Sequence, residues 1–228
     1  MVRALIIDLD DTLYDERDYV LSGFDAVARD IARRFPHVEP GELFAEMVAE
    51  LDAHGRGQVF DRALEQAGLA AEPPLVEALV RGYRDHRPRI GLWPGVADAL
   101  ADLARDYRTA VVTDGLAQMQ RRKVEALGLE RLVGQVLYCW EHDAPKPDPA
   151  CYIEALRRLD AKPEETVVIG DNPRHDMAAA RAVGCRSIRV LSGRFACLDD
   201  GGFPADAMVR SFCDVAKILR GEEFGAAA

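Results

Sequence analysis

Long apolar runs are missing from this 228-residue chain: no stretch approaches the roughly 18 residues that a membrane-spanning helix needs. Basic residues are outnumbered 39 to 29, for a formal charge of −10. The chain therefore lacks the cationic face of a sequence-independent nucleic-acid binder and the polybasic stretch of a membrane-surface protein. Cysteine is scarce. The five present (Cys139, Cys151, Cys185, Cys197, Cys213) form no CxxC pair, which excludes a disulfide framework or a zinc knuckle. They are expected to be small buried or half-buried thiols in a reduced compartment. The opening MVRALIIDLDD has only four apolar residues in a row before an aspartate, shorter than a secretory core, and a cytoplasmic setting is the expectation. Lysine and asparagine are scarcer still: Lys123, Lys146, Lys162, Lys217 and Asn172 are all there are, so either residue inside a motif carries added weight.

What is present is a chain of ordinary globular composition, 49% hydrophobic, with the length of about one and a half domains. Arg3–Asp8, Thr109–Thr113 and Thr166–Gly170 read as buried strands, with Val136–Cys139 and Ser187–Leu191 as weaker ones. Helical patterns lie between them. Val96, Ala99, Leu100 and Leu103 recur behind Pro94-Gly95, and Met119–Leu127 is amphipathic and stops at Gly128. Ile153, Leu156 and Leu159 form a stripe, and Met177–Val183 ends at Gly184. From about Trp93 onward this alternation predicts right-handed βαβ units and a parallel sheet covered on both faces. From about Tyr14 to Leu92 it breaks: no convincing strand appears, and helical patterns occupy Tyr19–Phe35, Pro40–Ala53, Val59–Ala67 and Pro74–His86. A crossover needs one helix rather than four, so an inserted helical subdomain is expected, hinged near Leu13–Arg17 and Arg89–Pro94. The tail Gly225–Ala228 is expected to fray.

Four polar clusters fall at or shortly after strand ends. Asp8-Leu9-Asp10-Asp11-Thr12 follows the first; in an extended segment positions 8 and 10 share a face, and two adjacent carboxylates call for a cation or a shared proton. Thr113-Asp114-Gly115 offers a hydroxyl and a turn with free N–H groups, either an anion nest or an ordinary helix cap. Lys146 stands between Pro145 and Pro147, held for a phosphate or simply solvated. Gly170-Asp171-Asn172-Pro173-Arg174-His175-Asp176 places two carboxylates across a tight loop, with Asn172 or Asp176 able to cap a helix and Pro173 near its first position. Strand ends of one parallel sheet converge on one crevice. Carboxylates for Mg²⁺, with a hydroxyl and an ammonium for phosphate, are the requirements of phosphoryl transfer.

The order of these motifs resembles the haloacid dehalogenase superfamily of hydrolases. DLDDT is similar to its first motif, Thr113 to its second, Lys146 to its third and GDNPRHD to its fourth, and an insertion straight after the first motif resembles that superfamily's C1-type helical cap. Asp114 stands where many members carry Asn, and Pro145 where many carry Gly. The resemblance implies an α/β fold: a Rossmann-like parallel sheet core with helices on both faces (residues 1–13 and 93–228) and a helical cap (14–92). It implies Asp8 as nucleophile, forming an aspartyl-phosphate, and Asp10 as the acid and then the base. It implies Mg²⁺ held by the Asp8 carboxylate, the Asp10 carbonyl and Asp171, with Asp176 in support. Thr113, the N–H groups of Asp114 and Gly115, and Lys146 would hold the phosphoryl oxygens. Asp10 weighs against dehalogenation, because a halide leaves without a proton. The absence of any lysine before Lys123 weighs against phosphonate cleavage through a cap Schiff base.

A phosphomonoester hydrolase is the expected function. A sugar-phosphate mutase, with Arg56, Arg84, Arg87 or Arg89 for a second phosphate, is the alternative; a phospho-accepting receiver domain is the alternative from another class. The partner implied is a small phosphorylated metabolite (nucleoside monophosphate, sugar phosphate or phosphoglycolate), with no nucleic acid polymer and no membrane, on a monomer or homodimer. Tyr14, Arg17, Tyr19, His54, Arg56, Phe60, His86 and Arg87 are candidates to contact the leaving group, or else to pack and solvate the helical subdomain. Gly193-Arg194 is a loop at the rim or away from it.

Overall fold

Six short, β-branched-rich runs form one parallel sheet in a computed structural model that describes residues 1–221. The strands are β1 (Ala4–Ile7), β2 (Arg108–Thr113), β3 (Gln135–Tyr138), β4 (Thr166–Gly170), β5 (Arg186–Val190) and β6 (Ala207–Val209), in the order β3-β2-β1-β4-β5-β6. All neighbours run parallel, with Ala4 opposite both Arg108 and Thr166. β1 and β4 are buried at every residue, as strands covered on both faces must be. The order reverses at β1, so the crevice beyond the carboxyl ends of β1, β2 and β4 is where this architecture receives ligands. The fold is α/β and Rossmann-like.

The helices are α1 (Glu16–Arg34), α2 (Pro40–His54), α3 (Val59–Gln66), α4 (Pro73–Asp85), α5 (Val96–Asp106), α6 (Ala117–Ala126), α7 (Ala150–Arg158), α8 (Ala178–Val183) and α9 (Val215–Leu219). The chain divides into two compact units, Met1–Glu16 with Gly91–Ala228, and Arg17–Ile90. In the first, Ala4, Ile6, Ala110, Val112 and Leu137 of the sheet pack with Cys151, Tyr152, Ala155 and Leu156 of α7 and with Ala179 and Ala180 of α8. In the second, Val20, Phe24, Val27 and Ile31 of α1 pack with Leu43 and Met47, Val59 and Leu64, and Leu79. Proline at the start of α2 and α4 suits a first helical turn, where an N–H is not needed.

Several sequence expectations need correction. β6 was not foreseen; three residues are too few for a period-two pattern. Ile153 is 56% exposed, and the inner face of α7 is carried instead by Cys151, Tyr152, Ala155 and Leu156, one and four residues apart as a helix requires. Cys197 is exposed, unlike the buried Cys139, Cys151 and Cys185, although all five cysteines are free thiols. Gly225–Ala228 lies outside the described residues. Among the described residues no helix is long and apolar enough to cross a membrane.

Candidate active site

The turn after β1 carries Asp8 to Thr12. Asp8 N–H donates to Ile169 O at 2.8 Å, extending the ladder to β4 by one residue, and Asp11 adopts a left-handed φ of 58° that swings the chain away. Aspartate tolerates that conformation because its short side chain bonds locally, here accepting from Glu16 N–H at 3.1 Å. The loop after β5 closes on this turn: Ser192 Oγ donates to Asp11 O at 2.9 Å, and Arg194 reaches Asp11 at 3.3 Å and Glu16 at 2.9 Å. Gly193-Arg194 thus braces the first motif.

Asp8 accepts from Lys146 Nζ on one oxygen and from Thr12 Oγ1 at 3.1 Å on the other. Lys146 is buried and also donates to Asp176 Oδ1 at 2.8 Å. Asp176 Oδ1 accepts from Tyr152 OH at 3.0 Å, and its Oδ2 from Asn172 N–H at 3.2 Å. Asp176 can fold back so closely because residue 170 is glycine: a Cβ there would stand 2.5 Å from the Asp176 carboxyl carbon. Between Asp171 and Asp176 the chain makes a single π turn, Pro173–Met177, whose N-terminal residue Asn172 accepts from Arg174 N–H at 3.0 Å. Behind it, buried Arg189 donates to the carbonyl of Asp171 at 3.2 Å, fixing the backbone of that ligand candidate.

Asp8, Asp171 and Asp176 each offer an oxygen, all within 4.8 Å of one another. When ionised, three carboxylates against the one Lys146 ammonium leave two negative charges in a buried space. Asp171 Oδ2 is buried with no partner, and its carboxyl is pushed up to about 10 by burial, then by Asp8 and Asp176. Burial likewise raises Asp8 to about 7 against the pull of Lys146. Burial works against the charge on Lys146 too, but Asp176 and Asp8 hold its pKa well above the ordinary value. An orphaned carboxylate oxygen in an all-oxygen set with this charge fits a hard divalent cation such as Mg²⁺.

Asp10 belongs to a second cluster. Its carboxylate accepts from Lys123 Nζ at 2.8 and 2.9 Å, from Gln120 Nε2 at 2.9 Å, and from Tyr14 OH. Burial is the largest influence and would raise its pKa, but Lys123 together with the Tyr14 and Gln120 hydrogen bonds holds the carboxyl below the usual range. Gln120 Nε2 also donates to Thr113 Oγ1 at 2.9 Å and to the carbonyl of Asp114. Since Thr113 accepts there, its own proton is free to be donated elsewhere. Gly115 turns the chain from β2 into α6 at a φ of 108°, a backbone conformation that favours glycine.

The eight residues singled out from sequence therefore fall into two groups: Asp8, Lys146, Asp171 and Asp176 together, and Asp10 with Thr113, Asp114 and Gly115 around α6. Lys123, Gln120 and Tyr14 were missed. Tyr14, a candidate either for the leaving group or for packing, is fully buried in the sheet unit and bonded to Asp10. The inner face of α6 was expected to be apolar, yet it carries Gln120 and Lys123 beside Val124. The rarity of lysine was the available signal. Within the helical unit Arg17 pairs with Asp52 at 2.7 Å, His54 with Glu50 at 3.0 Å, and Tyr19 packs on Tyr83 and His86. Phe60 packs on Phe24.

A family model for haloacid dehalogenase-like hydrolases matches residues 2–184. The glyceraldehyde 3-phosphate phosphatase of Methanopyrus kandleri is 31% identical over 207 residues, 86% of each chain. A phosphoserine phosphatase of Thermus thermophilus is 35% identical over 139 residues, 60% of this chain and 55% of that one. Among solved structures, the 2-haloacid dehalogenase of Pseudomonas syringae pv. Tomato aligns with a TM-score of 0.68 at 26% identity, across 98% of this chain and 100% of the other.

Proposed function

The chain belongs to the haloacid dehalogenase-like hydrolases, and on that footing we propose that it is a Mg²⁺-dependent phosphatase of small phosphomonoesters working through an aspartyl-phosphate. The observation that carries this reading is the division of labour between the two aspartates of one turn. Asp8 faces the Lys146–Asp171–Asp176 cluster, while Asp10 is held apart by Lys123, Gln120 and Tyr14.

In this reading Asp8 attacks phosphorus, the P–O bond to the ester oxygen breaks, and Asp10, protonated by the phosphate monoester monoanion as it binds, passes that proton to the departing alkoxide. Water, giving its proton to Asp10, then attacks the aspartyl-phosphate, and inorganic phosphate leaves with Asp8 restored. The Thr113 hydroxyl, the turn N–H groups of Asp114 and Gly115, and Lys146 hold the phosphoryl oxygens. Asp8, Asp171 and the Asp10 carbonyl would hold Mg²⁺, with Asp176 in support; bound there, the ion supplies positive charge to the transferring phosphoryl group. The helical unit Arg17–Ile90, inserted straight after the first motif, would correspond to a C1-type cap. Free thiols fit a cytoplasmic setting.

Asp10 favours phosphate esters over halides, because a halide leaves without a proton and an alkoxide does not. Among small esters, the Methanopyrus relative favours a triose phosphate or a similar sugar phosphate. The test is phosphate release from a panel of phosphorylated metabolites, with Mg²⁺ or with EDTA. Magnesium-dependent release from a sugar phosphate is expected. Chloride release from 2-chloropropionate with no phosphate release from any ester overturns the reading.

A further inference from the structure

Lys123 and Gln120 lie three residues apart on the buried face of α6, and both reach across the end of the sheet to the same carboxylate. Lys123 is 3% exposed and Gln120 2%; neither is a surface residue that meets Asp10 by chance. Lys123 Nζ spans both Asp10 oxygens, at 2.8 and 2.9 Å. Tyr14 OH holds Oδ1 from the opposite end of the turn, and Gln120 Nε2 holds Oδ2 at 2.9 Å. Both oxygens of that carboxylate are therefore held by donors from α6 and from the turn. Gln120 Nε2, with one of its two hydrogens shared, also donates to Thr113 Oγ1 and the Asp114 carbonyl, so one amide ties the turn after β1 to the turn after β2.

Stability alone does not explain the arrangement. Gln120 Oε1 is buried without a partner, which costs on the order of 1–3 kcal/mol. The amide cannot be reversed to relieve it, since Oε1 would then face a carboxylate, a carbonyl and a hydroxyl oxygen. A hydrocarbon on α6 at this position would avoid that penalty but give up the hold on Asp10 Oδ2 that the amide N–H supplies.

We propose that Lys123 and Gln120 are positioning residues for Asp10: they fix its carboxylate where the ester oxygen departs and where water enters, without touching substrate themselves. The inference rests on the hydrolase reading above and deepens it. Its consequence is selective. Loss of a positioning residue harms the steps in which Asp10 moves a proton, and spares a first step whose leaving group departs unaided.

Lys123→Met and Gln120→Met are compared with wild type on glycerol phosphate, whose alkoxide needs a proton, and on p-nitrophenyl phosphate, whose phenolate does not. General acid–base catalysis is worth about 10²–10⁴-fold, so kcat/KM for the alkyl ester is expected to fall about 100-fold, and for the aryl ester under about fivefold. With water activation also slowed, p-nitrophenol should appear as a burst of about one equivalent per chain before a slow phase. In an Asp10→Asn background, Lys123→Met should cost less than about twofold, because its effect passes through Asp10. If Lys123→Met does not fold, Gln120→Met carries the same expectation with the charge pair intact. Equal loss on both esters without a burst, or full additivity with Asp10→Asn, overturns the inference while leaving the hydrolase reading standing. A wild-type protein that hydrolyses neither ester removes both.

Discussion

The ammonium of Lys146 lies 2.8 Å from Asp176 Oδ1, and both side chains are 2% exposed. The same ammonium meets Asp8, so one cation separates two carboxylates contributed by different strand ends, Asp176 buried and Asp8 half-buried. Removing it leaves both unpaired, with Asp171 also within reach. Lys146→Met should cost about 3–5 kcal/mol, the usual penalty for breaking one side of a buried ion pair. It should also lose most phosphatase activity through lost stabilisation of the phosphoryl charge. Urea unfolding with and without Mg²⁺ checks the first point. The cation should restore part of the loss, since it relieves the same repulsion. A variant as stable as wild type in EDTA would show that the pair carries no structural burden.

Asp8→Asn should abolish turnover while preserving the fold. The amide is isosteric, keeps an acceptor for Thr12 Oγ1, and removes one charge from a crowded set. Hydrolysis of p-nitrophenyl phosphate should fall by about 10³-fold or more, as expected for loss of a nucleophile. Near-normal turnover would sink the nucleophile assignment.

The acidic cluster makes a signed prediction about pH. Burial raises Asp8 to about 7 and Asp171 to about 10. An unfolded chain gives up these protons near pH 4, whereas the folded one retains them higher, so cation-free stability falls as pH rises through this window. Mg²⁺ binds the ionised carboxylates and offsets the loss. The melting temperature in EDTA should therefore drop between about pH 5 and pH 8, and the rise on adding Mg²⁺ should be larger at the upper end, by at least about 3 °C. Asp171→Asn should flatten both trends and raise the EDTA melting temperature at pH 8. A Mg²⁺ effect that shrinks with pH would contradict the proposed ligand set.

Why Asp8, Lys146, Asp171 and Asp176 were legible in the sequence, and Lys123 was not, follows from where the information lies. β1, β2 and β4 are apolar runs that stop abruptly at Asp8, Thr113 and Asp171, and a parallel sheet brings such stops together. Lys146 is flanked by prolines and so stands out locally. Lys123 instead sits within a helix whose period is continuous, and its partner lies 113 residues away. No local pattern separates a buried lysine on an inner helix face from a solvated one at its edge. The same limit hid Tyr14, placed by its position in an apparent hinge rather than by the turn that returns its hydroxyl to Asp10. β6 escaped because three residues at a sheet edge carry no periodic signal, and Ile153 misled because its neighbours Cys151 and Tyr152 fill the inner face of α7 first.

Thr113 closes the set of predictions because its hydroxyl has a defined direction. Oγ1 accepts from Gln120 Nε2 at 2.9 Å, so its proton is available to a phosphoryl oxygen in the crevice. Thr113→Val preserves shape at a residue 1% exposed and removes only the hydroxyl. One oriented donor to a transition-state oxyanion is worth about 10²–10³-fold in kcat, and a loss of that size is expected. The valine leaves Gln120 two other acceptors, Asp10 and the Asp114 carbonyl, so the stability cost should stay near the roughly 1 kcal/mol of one net hydrogen bond. Thr113→Ser should restore most of the rate, because it returns the donor without the methyl. Steady-state kinetics with Mg²⁺ on the three proteins decides the matter: a valine variant with unchanged kcat and a raised KM would mean that the hydroxyl binds the ground state and the transition state equally and gives the chemical step nothing.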